Sequence, residues 1–146
     1  MTETIEDRLK PYYEYVMAEG KLRTLDHAQI WSDGVLKTFG TALDRGTKKA
    51  LAKKLPKELA DSLTSVFWLL HFRDPNQTSE EFLQRAARRS GNSNWEFARY
   101  PTQAVFGGLR MFTNADLNEE ISRSLSPELR QLWQQAKLVE KVPVTS

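Results

Sequence analysis

Hydrophobic residues recur along this chain at spacings of three, four and seven positions, which place side chains on one face of an α-helix. Sustained alternation of apolar and polar residues does not occur, and the β-branched residues are scattered, so no segment indicates a β-strand. The pattern therefore predicts an all-α protein. Helices are expected over KPYYEYVMAEG, DHAQIWSDGVLKTFGTALDRG, TKKALAKKL and PKELADSLTSVFWLL in the first half, and over TSEEFLQRAARRSG, NWEFARYPTQAVFGGLRMF, DLNEEISRSL and ELRQLWQQAKL in the second.

Polar residues at the expected helix starts supply capping oxygens. Thr78 has a glutamate three residues later, the spacing of a capping box. Ser93 and Asp116 have the same spacing and are expected to cap the next two helices. Ser126 is expected to cap the last helix, because a proline with a preset backbone angle follows it.

An offset of seventy residues aligns the hydrophobic positions of the two halves without a gap. The aligned pairs are Ala28 with Ala98, Val35 with Val105, Leu36 with Phe106, Phe39 with Leu109, Leu51 with Ile121, Leu55 with Leu125, Glu58 with Glu128 and Leu59 with Leu129. Because these positions recur at helical spacings, the repeated feature is a buried stripe. We therefore expect two tandem three-to-four-helix repeats that pack into one compact helical bundle.

A proline interrupts each half at a similar place. The stretch KKLPKELADSL contains one helix end and a new helix start at Pro56, and RSLSPELRQLW repeats this arrangement at Pro127. A continuous helix would lose about 3 kcal/mol at an interior proline, so the chain is expected to bend at both places.

The expected organisation is one structural domain made of two repeats, residues 1–70 and 79–138. A connecting loop is expected over 71–78. The stretch VEKVPVTS has neither caps nor helical periodicity, which predicts a frayed tail over 139–146.

Composition narrows the possible functions. The 146 residues are 40% hydrophobic and 27% charged, as in an ordinary globular domain, and none of them is a cysteine, which excludes thiol chemistry. The longest apolar run, Val66 to Leu70, is far shorter than the ~20 residues that cross a bilayer, so no membrane span is expected. The start MTETIEDRLKPYYEY lacks a basic region followed by an apolar run, so we expect a cytoplasmic protein.

Motifs for catalysis or cofactor binding are not found in the sequence. His27 and His71 lie far apart, and neither has a second histidine four residues away. Glycine-rich phosphate loops and the Gly-x-Ser-x-Gly motif do not occur. We therefore expect a non-enzymatic protein without catalytic residues, metal or cofactor.

Several of these segments resemble a known bacterial family. The residues that carry the resemblance are Phe82, Leu83, Arg85, Ala86 and Ala87 in one helix, Ala104, Val105 and Leu109 in the next, and Leu55, Pro56 and Leu59 at the first proline joint. They are similar to the Phe-Leu-x-Arg-Val-Ala helix, the Ala-Val-x-x-x-Leu helix and the Leu-Pro-x-x-Leu joint of the family catalogued as domain of unknown function 2267. The resemblance runs from about Tyr12 to Leu138. It implies an all-α duplicated fold and no particular activity.

An aromatic cluster near the start of the chain is the basis of the first functional hypothesis. The stretch YYEY places the rings of Tyr12, Tyr13 and Tyr15 on more than one side of a helix, so at least one ring should face outward. Exposed aromatic side chains are common anchors at protein interfaces. We therefore expect a helical interaction or adaptor module that binds a protein partner, although core packing also explains such aromatics.

Two basic clusters support an alternative hypothesis. They consist of Lys48, Lys49, Lys53 and Lys54 in one helix and Arg85, Arg88 and Arg89 in another. Such faces could bind nucleic acid or an anionic surface, but an ordinary solvated helix face has the same composition. The net charge of only +2 favours the solvated helix face, because acidic residues elsewhere nearly balance the basic ones. A third hypothesis is a carrier that holds an apolar ligand non-covalently between the repeats.

Overall fold

The computed structural model describes residues 5–66 and 76–136, with side chains from Leu9 onward. These residues form eight α-helices and no strand, which confirms the all-α prediction. The helices are α1 Ile5–Glu19, α2 Leu25–Ala42, α3 Arg45–Lys54, α4 Lys57–Thr64, α5 Ser79–Arg89, α6 Arg99–Leu109, α7 Ala115–Ser124 and α8 Pro127–Gln135. Most of the expected connecting loop, the expected frayed tail and His71 lie outside the described residues.

Side-chain oxygens cap most of the helix starts. Thr78 and Ser126 accept hydrogen bonds from backbone N–H groups of the first turns of α5 and α8, as predicted. The other two predicted caps are wrong by one or two residues. Asn94 Oδ1 accepts from the Phe97 N–H at 3.1 Å, so Asn94 rather than Ser93 caps the turn before α6. Asn114, rather than Asp116, caps α7.

The prolines break the helices where the sequence predicts. Helix α3 ends at Lys54, and Leu55 is extended (φ −93°, ψ 151°) before Pro56, the N-cap residue of α4. Helix α7 ends at Ser124, and Leu125 has nearly the same conformation (φ −83°, ψ 153°). In both joints the leucine N–H still bonds to the carbonyl three residues earlier at 3.3 Å.

Other backbone features recur at the same seventy-residue spacing. Helices α1 and α5 end at Glu19 and Arg89, and each is followed by a residue with positive φ: Lys21 at 57° and Gly91 at 74°. The residue after each of these donates its N–H to a carbonyl of the last helical turn, at 2.9 Å and 2.8 Å. Both ends are therefore terminated by a left-handed residue, the common helix stop.

The two halves are packed into each other rather than side by side. Helix α1 lies on α6, and α2 lies on α5, so each half places its first helix on the second helix of the other. Glycine permits one of these close approaches: a Cβ built at Gly108 of α6 would lie 2.8 Å from Tyr12 Cε1. All eight described helices contribute to one hydrophobic core.

Aromatic rings fill the centre of this core. The rings of Phe39 and Phe106 have centroids 4.8 Å apart, and Trp133 stacks on Phe39 at 5.6 Å and meets Phe106 edge-on at 5.4 Å. The three side chains are 0–1% exposed and come from α2, α6 and α8. Truncating such a ring to alanine costs about 3–5 kcal/mol, so this cluster holds the two halves together.

Candidate functional site

Tyr12 does not belong to an exposed patch, in contrast to the expectation from YYEY. Its side chain is 1% exposed, packs against Gly108, and shares a 2.7 Å hydrogen bond with Ser32 Oγ. Burial raises the pKa of the Tyr12 phenol well above its ordinary value, and the hydrogen bond to Ser32 opposes this only in part. The absence of a Cβ at Gly108 provides the space for the ring, so Tyr12 is a core residue.

Tyr13 and Tyr15 are half-buried on different sides of α1. The Tyr13 ring meets the Tyr12 ring edge-on at 5.2 Å, and burial, then the carboxylates of Glu58 and Asp33, raise its pKa. Burial also raises the pKa of Tyr15, with Glu19 as the next cause. The three tyrosines therefore do not form one continuous surface.

A different group of side chains forms an aromatic surface, which we call the aromatic patch: Tyr100, Phe97 and Lys21, with Trp31 beneath them. Tyr100 is 41% exposed, and its ring meets Phe97 at 5.9 Å, which in turn meets the buried Trp31 at 5.9 Å. The ammonium group of Lys21 lies 4.1 Å from the centre of the Tyr100 ring. In the sequence, Tyr100 aligns at the seventy-residue offset with another large apolar residue, Ile30. Only the structure shows that this residue, too, is exposed, at 48%.

The lysines of α3 are mostly exposed, with one exception. Lys49, Lys53 and Lys54 face solvent, whereas Lys48 is only 9% exposed. Burial lowers the pKa of Lys48, and its Cε lies near Gly40 of α2. The expected lysine face therefore consists of three side chains rather than four.

All three arginines of α5 are exposed, and one of them also contacts the neighbouring helix. Arg89 Nη1 donates to Thr38 Oγ1 of α2 at 3.1 Å. Burial, then the nearby charge of Arg85, lowers the pKa of Arg89. Helix α3 packs on α4 and α7, whereas α5 packs on α2, α6 and α8, so the two basic clusters have different surroundings.

Neither a metal-binding group nor a membrane-spanning helix is found in the described part of the chain. His27 is exposed in the first turn of α2, where its backbone N–H donates to Thr24 Oγ1 at 3.1 Å. Within residues 5–66 and 76–136, acidic and histidine side chains do not gather in any group of three that could hold a metal ion. None of the helices in these ranges combines the length and the apolar character that crossing a bilayer requires.

The fold and its surface define the class of this protein: an all-α bundle of interleaved helices with an aromatic patch and separate basic helix faces. The chain belongs to the family described as an uncharacterized conserved protein (DUF2267), whose family model matches residues 10–132. This match confirms the family that the sequence segments resemble. No curated protein matches the chain.

Proposed function

We propose that this protein is a non-enzymatic interaction module that binds a protein partner in the cytoplasm through the aromatic patch. The observation that supports this proposal is the 41% exposure of Tyr100, a large ring that is nevertheless fixed in place by Phe97 and Lys21. Tyrosine is enriched among the side chains that contribute most to binding energy at interfaces.

The patch is rigid, which favours binding. Phe97 packs on Trp31, which is 5% exposed, so Tyr100 is connected to the core by two successive ring contacts. A side chain that is already ordered before binding loses little conformational entropy when a partner covers it. The patch is therefore a better anchor than a freely rotating surface tyrosine would be.

Charges around the patch suggest the chemistry of the partner. Two exposed cationic side chains are near Tyr100. Lys21 lies over its ring, and Arg99 directly precedes it in the sequence. A partner that places an apolar side chain on the ring and a carboxylate near Lys21 would complement both features. We propose a protein segment of this kind as the partner.

The two alternative functions have less support. The nucleic-acid hypothesis is weakened because Lys48 is buried and because Arg89, although exposed, donates a hydrogen bond to Thr38 of α2. The ligand-carrier hypothesis is weakened because the rings of Phe39, Phe106 and Trp133 occupy the space between the halves. Neither alternative has a specific feature comparable to the patch.

We also infer that the two halves are copies of one ancestral unit. The inference is supported by the proline joints after Leu55 and Leu125, by the left-handed residues Lys21 and Gly91, and by the identical spacing of α3 and α7. In this view Tyr100 is the counterpart of Ile30, an exposed position of the common unit that acquired an aromatic ring in the second copy.

Site-specific photocrosslinking tests the proposed interface. A benzophenone amino acid is placed at position 100 and, in a control protein, at exposed Lys54 on α3. We expect a crosslinked protein from a lysate of the source organism at position 100 and not at position 54. The purified partner should bind with little dependence on salt and should lose affinity for Tyr100→Ala.

The outcomes separate the hypotheses. Equal crosslinking from both positions, or full affinity of Tyr100→Ala, would contradict the proposed interface. Binding of nucleic acid that weakens steeply with salt and is abolished by the double change Lys49→Glu and Lys53→Glu would instead favour the basic faces.

A further inference from the structure

A concavity of about 720 Å³ lies where the end of α6 meets α7 and α8. Its lining includes three arginines, Arg110, Arg123 and Arg130, together with Asn118 and Ser122. Among the described lining residues Glu119 is the one acidic residue, so their charged side chains sum to +2. The concavity is at the opposite end of α6 from Tyr100, about 15 Å away along the helix axis, and is therefore separate from the aromatic patch.

Arg110 is a buried cation without a carboxylate partner among the described residues. The residue is 8% exposed, its guanidinium lies 4.1 Å from the centre of the Trp133 ring, and Nη2 donates to the Trp133 carbonyl oxygen at 2.9 Å. The Nε atom is buried and makes no hydrogen bond to any of the described residues. Burying a charge is costly unless it is paired and its hydrogen-bond donors are satisfied. An anion at Arg110 would supply both the opposite charge and the hydrogen-bond acceptor for Nε.

Arg130 is fixed at the other side of the lining by backbone carbonyl groups. Its Nε donates to the Ser122 carbonyl at 2.9 Å, and its Nη2 donates to the Leu125 carbonyl at 3.3 Å. These bonds hold the guanidinium at the carboxyl end of α7 without neutralising its charge by a carboxylate. The guanidinium is thus ordered before any ligand arrives.

The neutral side chains of the lining also offer donors. The Asn118 Oδ1 atom accepts from Thr113 Oγ1 at 2.6 Å, which leaves its amide N–H groups for another acceptor. Ser122 Oγ accepts from Gln134 Nε2 at 3.2 Å, which leaves its own proton to donate. Glu119 is paired with Arg123 at 3.6 Å, and both side chains are about 70% exposed, so this ion pair lies at the solvent side.

We propose that this concavity binds the phosphate group of a small molecule, with Arg110 and Arg130 as its fixed guanidinium donors and the exposed Arg123 as a third. Guanidinium groups present planar pairs of N–H donors that match phosphate oxygens. The +2 charge of the lining complements a phosphate dianion. Trp133 is 1% exposed, so its ring is covered and cannot stack on a base. The phosphate itself, rather than an aromatic group, is therefore what the site recognises.

The proposal is tested on the full chain with two probes, inorganic phosphate and glycerol phosphate, at constant ionic strength. Calorimetry gives the affinity, and the Nε–Hε resonance of Arg110 in a two-dimensional NMR spectrum reports on the site directly. We expect this resonance to shift and to saturate with the midpoint that calorimetry gives. Tighter binding of glycerol phosphate would indicate a phosphate ester, and tighter binding of inorganic phosphate would indicate the free ion; in both cases the recognised group is the phosphate.

Matched variants assign the binding to the concavity. Arg123→Gln and Lys54→Gln each remove one exposed positive charge, but only the first lies in the lining. We expect Arg123→Gln to weaken phosphate binding severalfold, Arg110→Lys to weaken it about tenfold, and Lys54→Gln to leave it unchanged. Thermal unfolding of each variant shows whether it is folded, and the NMR titration of the unmodified protein does not depend on any variant.

Three results would overturn the proposal. The first is an Arg110 resonance that does not respond to millimolar phosphate. The second is an equal loss of affinity in Lys54→Gln and Arg123→Gln, which would indicate general charge screening. The third is tighter binding of glutarate than of either phosphate probe, which would indicate a carboxylate site. None of these tests alters Tyr100, so they do not bear on the proposed protein interface.

Discussion

The Tyr12 hydroxyl lies 2.7 Å from Ser32 Oγ inside the core, so a hydrogen bond between two buried polar groups joins α1 to α2. Tyr12→Phe removes this bond and deprives Ser32 Oγ of its partner. We expect the free energy of unfolding to fall by about 1–2 kcal/mol, because a buried group left without its hydrogen bond bears its desolvation cost. Urea unfolding measures the change.

Tyr15→Phe is the matched control for this change, because Tyr15 is half-buried on the same helix and no side-chain hydrogen bond joins it to the described residues. It should alter the stability by less than about 0.5 kcal/mol. An equal effect of both substitutions would contradict the role of the Tyr12 hydrogen bond.

The raised pKa of Tyr12 predicts loss of stability in alkali. The folded protein holds the phenol proton more tightly than the unfolded chain, whose tyrosines titrate near pH 10. The stability contributed by this difference is therefore present below about pH 10 and is lost as the pH rises above it. Tyr12→Phe should therefore show a shallower decline of stability between about pH 10 and 11.5 than the unmodified protein. Urea midpoints across that range, compared between the two proteins, measure the difference, and parallel curves would count against it.

Gly40 marks a close approach of α2 to the backbone of α4. A Cβ built there would collide with the Leu63 carbonyl oxygen and would lie 3.2 Å from its carbon. Gly40→Ala should therefore destabilise the protein by about 1–3 kcal/mol, despite the better helix propensity of alanine. Gly46 of α3 is the control, because the nearest atom to its built Cβ is Asp44 Oδ1 at 3.6 Å. Gly46→Ala should be neutral or stabilising by up to about 1 kcal/mol in thermal unfolding. The same sign for both substitutions would disprove the steric argument.

Lys21 and Gly91 follow α1 and α5 at the same position. We expect Lys21→Gly and Gly91→Ala to have opposite effects on stability. Both residues have positive φ, 57° and 74°, a region that glycine adopts without strain and other residues do not. No atom of the described residues lies within 4 Å of a Cβ built at Gly91, so only backbone strain should oppose Gly91→Ala, at a cost of about 1 kcal/mol. Lys21→Gly should stabilise by up to about 1 kcal/mol, reduced by loss of the contact with Tyr100. Equilibrium unfolding of both variants measures the two effects. A stabilising effect of Gly91→Ala would contradict the role of backbone strain.

The cap of α7 is testable with two neighbouring substitutions. Asn114 Oδ1 accepts from the Leu117 N–H at 2.9 Å, whereas Asp116 is exposed in the first turn. Asn114→Ala should cost about 1 kcal/mol, and Asp116→Ala only a few tenths, from the helix dipole. If urea unfolding showed a larger loss of stability for Asp116→Ala than for Asn114→Ala, Asp116 would be the cap, as the sequence predicts.

The sequence by itself determined the all-α class, the two proline joints and two of the four expected caps, but not every helix end. Helix α1 begins at Ile5 rather than Lys10, and α2 ends at Ala42 rather than at Gly46. The hydrophobic spacing, the prolines at 56 and 127 and the caps Thr78 and Ser126 act within one or two helical turns, so each could be interpreted without knowing the rest of the chain. The same locality explains the two errors in the expected caps, which were placed at Ser93 and Asp116. Ser93 and Asn94 are both good capping residues, and the choice between neighbours depends on where the following turn meets the core.

Only the tertiary structure decided which side chains are exposed and which ones meet. The burial of Tyr12 depends on Gly108 and Ser32, and the exposed ring of Tyr100 depends on Lys21, all from distant parts of the chain. The arginines of the concavity belong to three different segments and converge only when α8 packs on α6 and α7. A helix pattern identifies a buried face but not the helix that covers it, because that choice is made by contacts between residues far apart in the sequence.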